Sequence, residues 1–533
     1  MPGLTDNIHL LTPEFALAGL ALLVFAVDLA LPDDRKGLVP WLSIAGLLGV
    51  MAVSLQMLWG RQESLYDGLL GVDAFSLFFK CFFLGLGVLI IFASMEYVDR
   101  FLENPGEFYG LLIISILGMS VMVQARELLT AYIALELLSF SLYVLAAYAR
   151  SEPKSNEAGL KYILIGAFSS AILLYGLSMI YSTLGVTRFP DIALALSGAG
   201  QLSPALWVGV ALLVAGLGFK VAAVPFHMWA PDVYEGAPLP VTAYLAIGST
   251  TAAFALILRL AAEGFLPAGS LWSQWQLVIA VLAAVSMLVG NLVALAQHNI
   301  KRLMAYSSIG HTGFILAGIA ALTPDSPLAS NAVMLYLVGY AVTNLVVFAG
   351  IIAYFNRTGR ELITEFAGLA QERPFLAAAV AAGLFSLGGL PIFAGFAIKF
   401  YLFIALAESG FLWLAGVAIF SSLISLYYYL QIIRQMYIEP GAEPGAEILE
   451  GPPGEAPGGV VPDQPGDSQT PIPEAATVAA VVQPLDRASG LAPPILVMGV
   501  LAVGLLAVVL IGVYPAPLLD LIAAASQAIL PGV

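Results

Sequence analysis

Apolar residues run for about twenty positions at a time along this chain, with short polar breaks between the runs. A helix needs roughly 20 mostly apolar residues to cross a membrane, because each residue advances it about 1.5 Å and the hydrocarbon core is about 30 Å thick. On that rule fourteen spans are predicted, at 10–31, 39–59, 74–98, 109–125, 127–149, 158–185, 205–228, 238–262, 273–296, 302–321, 329–355, 374–406, 411–437 and 495–515. The first run carries Glu14 and Asp28 and lacks a basic start, so it reads as a span and not as a cleaved signal. Residues 516–530 are expected to lie at the interface. The fold class is all-α, a polytopic membrane protein.

Two runs are interrupted. Pro225 falls within the seventh, and Gly388, Gly389, Pro391 and Gly395 fall within the twelfth. Proline removes a backbone hydrogen bond, and broken helices in two halves of a membrane protein point to inverted repeats. Five domains are expected. Residues 1–108 hold helices 1–3, 109–262 a first half-channel repeat (helices 4–8), and 263–437 a second (helices 9–13). Residues 438–494 form a loop, and 495–533 the last helix and its tail.

Basic residues set the orientation. With the N-terminus outside, inner loops hold thirteen Lys and Arg, from Arg35 to Arg487, and outer loops hold Arg61, Arg126 and Arg188. Fourteen spans then put the C-terminus outside too. The 438–494 loop, predicted to be cytoplasmic, contains twelve of the 32 prolines and nine acidic residues, too little apolar surface to order itself.

Composition agrees: 60% hydrophobic, 10% charged, with a mean hydropathy of +0.94. Most of the chain is lipid- or helix-facing, and a nucleic-acid partner is not expected. The single cysteine, Cys81, closes no internal disulfide and holds no iron–sulfur cluster, which normally needs four. No P-loop, CxxC or HExxH motif occurs, so any redox cofactor is expected on other chains.

Against this background a few charges stand out. Lys80, Lys220 and Lys399 lie inside spans, three of only seven lysines. A charge at mid-membrane costs about 2.5–3.5 kcal/mol on insertion scales and by default suggests an ion or proton path. Glu136, in the fifth span, is as costly alone, and Lys220 is its expected partner. Lys80, near the start of its span, is expected to snorkel outward. His311, with Ser307 one turn before it, suits a proton relay because imidazole titrates near neutral pH. His298, Lys301 and Ser308 are grouped with it, and Lys301 and Arg302 are read as inner-face anchors. Asp232 and Glu235 are expected to position the broken helix.

The stretch from Gly218 to Pro238, containing Lys220-Val221-Ala222-Ala223-Val224-Pro225-Phe226-His227 and Pro231-Asp232-Val233-Tyr234-Glu235-Gly236-Ala237-Pro238, resembles a signature of the antiporter-like subunits of respiratory complex I. Asn299 to His311 resembles their second signature, Ala134-Leu135-Glu136-Leu137 their glutamate helix, and Gly395 to Tyr401 their terminal lysine helix. Within the family, the Pro-Asp-Val-Tyr string and a lysine at 399 are similar to the N-type members of bacterial NADH–quinone oxidoreductase. The resemblance implies a proton-translocating membrane-arm subunit with Glu136 and Lys220 as a coupled pair and Lys399 as the terminal lysine. It implies no cofactor on this chain. FMN, iron–sulfur clusters, NADH and quinone belong to partner subunits: M-, K-, J- and L-type membrane subunits and a peripheral arm. One position departs from the pattern. The family's usual lysine on the eighth span aligns with Thr250, which passes a proton through water but stores no charge. The alternatives are a subunit of a multi-chain cation/proton antiporter, in which the same buried charges would serve, and a scaffold that no longer pumps.

Overall fold

A computed structural model describes residues 7–198, 203–440 and 495–530; the expected loop at 438–494 lies almost wholly outside them. Six long helices open the chain: α1 (Thr12–Ala30), α2 (Val39–Leu58), α3 (Ala74–Phe101), α4 (Pro105–Gln124), α5 (Leu128–Ala146) and α6 (Pro153–Leu184). A short α7 (Phe189–Ser197) precedes α8 (Pro204–Lys220) and α9 (Trp229–Gly236). Next, α10 (Leu239–Tyr244) and α11 (Thr250–Leu260) form one rod joined by a π-helical turn at Leu245–Ser249, and a second such turn, Ala261–Phe265, follows α11. The second half holds α12 (Ser270–Ala294), α13 (Ile300–Ala320), α14 (Leu328–Thr358), the single-turn α15 (Leu369–Glu372), α16 (Pro374–Gly388), α17 (Ala394–Glu408) and α18 (Leu412–Tyr437). The chain closes with α19 (Ile495–Val513) and α20 (Ala516–Gln527).

Twelve helical segments are long and apolar enough to cross a membrane, and the shorter α8 and α16 bring the described spans to the predicted fourteen. Local sequence explains many of their ends. Proline occupies the first turn of α1, α2, α4, α6, α8 and α16, where its missing N–H is not needed. Asp73 caps α3 by accepting from Ser76 N at 2.8 Å, while Ser76 Oγ accepts from Asp73 N.

The rod Leu239–Ala268, α13 and α14 are almost wholly buried and form the centre, whereas α6, α12, α18 and α19 lie at the edge. Edge residues such as Leu164, Phe168, Phe420 and Leu423 are exposed and apolar, as a lipid-facing surface requires. Helices α12 and α13 approach so closely that a Cβ on Gly290 would stand 2.5 Å from Gly310 N.

One feature differs from the expectation. The loop after α2 forms a small antiparallel hairpin, β1 (Glu63–Leu65) with β2 (Leu70–Val72), too short for a hydrophobic period to reveal. The two interrupted runs are broken as expected: the seventh ends as helix at Lys220 and runs on without helix to Trp229, and the twelfth is two helices, α16 and α17, with a non-helical joint.

Candidate functional site

The first joint follows Lys220, the last residue of α8. Three side chains from elsewhere bond the backbone freed there. Thr312 Oγ1 donates to Val221 O (2.7 Å), Ser286 Oγ accepts from Val224 N (3.0 Å), and Trp229 Nε1 donates to Phe219 O (2.9 Å). This is how irregular backbone is tolerated at membrane depth. Lys220 is buried, and its ammonium donates to Ser139 Oγ at 2.8 Å. Glu136 lies one turn before Ser139 on α5, half-buried, and accepts from Ser170 Oγ at 2.5 Å. The expected Glu136–Lys220 partnership is therefore not a direct ion pair. A serine stands against each charge, and they act on one another through the space between.

The second joint separates α16 from α17. Gly389 has φ +85°, a left-handed conformation that stops α16, and a Cβ there would lie 3.1 Å from Lys399 Cδ. That clearance lets Lys399 reach back across the joint. Its ammonium donates to Leu387 O and to Ser422 Oγ, both at 2.8 Å, and lies 5.2 Å from the Phe314 ring centroid. Lys399 thus places its charge at the carbonyl end of α16, where the backbone dipole favours a cation, whereas Lys220 turns its ammonium to Ser139 on α5.

Between the two lysines lies a band of buried hydroxyls. His311 Nδ1 shares a hydrogen bond with Tyr336 Oη (2.7 Å), Ser308 Oγ with Tyr340 Oη (2.8 Å), and Tyr340 also donates to Ala246 O (3.2 Å). Thr250 is buried immediately after the π turn and donates to Leu245 O (3.3 Å). Ser307 bonds Tyr429 (2.5 Å), and Tyr428 donates to Asn291 Oδ1 (2.8 Å). His311, Ser307 and Ser308 thus belong to the interior. His298 is exposed before α13, and Lys301 pairs with Glu361 at 2.7 Å. Sequence reasoning missed Ser139, Ser170, Ser422 and the tyrosines. A signal existed for Tyr336 and Tyr340, which sit one turn apart within an apolar span.

Lys80 does not snorkel. It is fully buried and pairs with Glu14 Oε1 at 2.5 Å, an oxygen that also accepts from Gln124 Nε2 at 3.0 Å. Pairing to α1 removes the need to reach water. Arg259, in the last turn of α11, is also fully buried. It grips Asp73 with two bonds of 2.7 and 2.8 Å and Glu263 with one of 3.1 Å, while Arg126 pairs with Glu263 at 2.7 Å.

At the opposite end of the bundle, Asp232 bonds Lys161 (2.8 Å) and Arg302 (2.8 Å), and Glu235 bonds Arg302 (3.1 Å) and Lys154 (3.3 Å). These groups line a cavity of about 150 Å3. Burial alone would raise the Asp232 carboxyl, yet the hydrogen bonds from Lys161 and Arg302 outweigh it and hold the group below its ordinary range. Asp232 and Glu235 thereby tie α9 to α6 and α13, in keeping with a positioning role. Among the described residues no group of three or more His, Cys, Asp or Glu side chains is placed to hold a metal.

Residues 125–425 match the family described as "NADH:quinone oxidoreductase/Mrp antiporter, TM", a segment that includes Glu136, Lys220, Thr250, His311 and Lys399. The chain is 43% identical over 432 residues to the NADH-quinone oxidoreductase subunit N of Desulforamulus reducens, covering 81% of this chain and 89% of that one. It resembles a chain of respiratory complex I from Thermus thermophilus, solved with bound aureothin, with a TM-score of 0.73, 29% identity, and 96% and 100% of the two chains covered. It also shares its fold with a chain of the Mrp complex from Dietzia sp. DQ12-45-1b (TM-score 0.76, 24% identity, 97% and 100% covered). The chain belongs to the family of membrane subunits shared by NADH:quinone oxidoreductases and Mrp antiporters.

Proposed function

We propose that this chain is the N-type membrane-arm subunit of an NADH–quinone oxidoreductase and translocates protons while other subunits carry electrons from NADH to quinone. The observation that carries the reading is identity of about 40% to curated N subunits across most of both chains, joined to two buried lysines seated at helix joints. The likeness to the Mrp chain, at 24% identity, speaks to the fold alone and leaves the antiporter reading second.

In this reading Glu136 and Lys220 form the coupled pair of the first half-channel (109–262). Thr250 and His311 stand in the centre, and Lys399 is the terminal site of the second half-channel (263–437). A neighbouring charge that moves changes how tightly each ammonium holds its proton, which turns a conformational step into proton transfer. FMN and iron–sulfur clusters reside on partner subunits, and M-, K-, J- and L-type chains complete the membrane arm. The chain sits in the bacterial plasma membrane with both termini outside. The Lys154–Lys161–Arg302 end then faces the cytoplasm, as the excess of basic residues there favours.

The test is the tagged complex, purified in mild detergent and reconstituted into vesicles. Flavin and iron–sulfur subunits co-purify, and NADH oxidation acidifies the lumen when the peripheral arm faces outward. The Lys220→Ala variant assembles and pumps fewer protons per NADH. A complex of membrane subunits alone, driven by a sodium gradient, would move the chain to the antiporter class.

A further inference from the structure

Glu136 and Lys220 do not touch, which leaves open how a proton passes between them. Each leans on a serine, Ser170 for the carboxylate and Ser139 for the ammonium. Ser139, Ser169, Ser170, Lys220 and Tyr143 line one cavity between α5, α6 and α8. Its volume of about 10 Å3 is close to the least that admits a single water. Tyr143 follows Ser139 by one helical turn, so both point to the same side of α5. Room for its hydroxyl comes from Gly166 on α6, where a Cβ would stand 2.2 Å from Tyr143 Oη. The ring is pinned in place. Tyr162 meets it edge-on at 4.7 Å and is itself stacked on Trp229 at 4.6 Å and 8°.

We propose that Tyr143 is the relay hydroxyl that carries a proton between Lys220 and Glu136, by way of Ser139 and Ser170. The proposal rests on the assignment of Glu136 and Lys220 as the coupled pair. The transfer balances without any co-reactant. The Lys220 ammonium gives a proton to Ser139 Oγ, which gives its own to Tyr143 Oη. Tyr143 gives its proton to Ser170 Oγ, and Ser170 gives its own to Glu136 Oε1. One N–H bond is lost, one O–H bond is gained, and both charges are neutralised. In the structure Ser139 Oγ donates to Leu135 O at 2.7 Å, so the line is open at that point. Rotating the Ser139 hydroxyl toward Tyr143 and the Tyr143 hydroxyl toward Ser170, which line the same cavity, closes it. The gap between carboxylate and lysine is thus a switch position, set by the neighbours of a serine.

The experiment uses the whole complex in vesicles and compares protons moved per NADH. Tyr143→Phe keeps the stacked ring and removes only the oxygen. It is expected to assemble normally and to lose as much pumping as Lys220→Ala. Ser170→Ala is expected to show the same loss, and the double variant no further loss, because two links of one series cost no more than one. Tyr143→Phe pumping at more than half the wild-type increment, while Lys220→Ala fails, overturns the relay and keeps the pair. Losses that multiply in the double variant also overturn it. Normal pumping by Lys220→Ala removes the pair itself, and the relay with it.

Discussion

Arg259 offers the sharpest test of how the buried charges hold the bundle together. Its side chain is fully buried, its guanidinium makes two bonds to Asp73 and one to Glu263, and it lies 4.8 Å from the Phe75 ring centroid. Replacing it with Met keeps much of the volume but strands the carboxylates unequally. Glu263 retains Arg126 at 2.7 Å. Asp73 keeps the bond from Ser76 N, loses its cation and, among the described residues, becomes an unpaired buried charge. Breaking a buried pair in this way costs about 3–5 kcal/mol, and at 3 kcal/mol the folding equilibrium moves by about 150-fold. Arg259→Met should therefore lower the temperature at which the detergent-purified complex loses this chain, read on native gels. Adding Asp73→Asn removes the stranded charge, and the double variant should regain much of the loss. An unchanged midpoint in Arg259→Met, or a double variant as unstable as the single, would refute the reasoning.

Other outcomes follow from the same geometry. Gly389→Ala forces a side chain into a left-handed conformation, at about 1–2 kcal/mol, and crowds Lys399; it should reduce pumping in vesicles, and normal pumping would show that Lys399 needs no such clearance. Asp232 has a folded-state pKa below its ordinary value of 3.8, so its stabilisation is complete above that value and fades as pH falls through the lower, folded-state one. The melting difference between wild type and Asp232→Asn should thus stay level from pH 5 to 8 and shrink only in strong acid, and a difference that grows between pH 6 and 8 would contradict the assignment. Deleting residues 445–485 should leave assembly and pumping intact, whereas loss of partner subunits on native gels would give that segment a docking role.

Much of the architecture was legible because lipid imposes a simple length rule on apolar runs, and fourteen spans emerged from it. Lys220 and Lys399 were legible for the converse reason, since a charge inside such a run is conspicuous. Their partners were not. Serine and tyrosine are nearly silent in hydropathy, so nothing in the pattern says that Ser139 meets Lys220 or that Ser422 meets Lys399. Lys80 was misjudged because its partner, Glu14, lies 66 positions earlier on another helix. The short hairpin escaped because three-residue strands carry no usable period.

The two π turns flanking α11 carry a consequence for insertions and deletions. Each holds about one residue more than an α-helical turn would and still closes a single turn, so the extra residue is absorbed and α11 keeps its facing. Removing one residue from 245–249 would let that turn relax to ordinary helix, and the rod would stay long and apolar enough to span. The relaxation would take up the missing residue, so Arg259 would still face Asp73 and Thr250 the interior band; one residue removed from 251–258 instead, where no turn holds a spare, would rotate Arg259 by about 100° away from Asp73. Two deletions that hydropathy scores alike should therefore differ: the one in the π turn is absorbed, and the one within α11 disables the subunit by rotation alone.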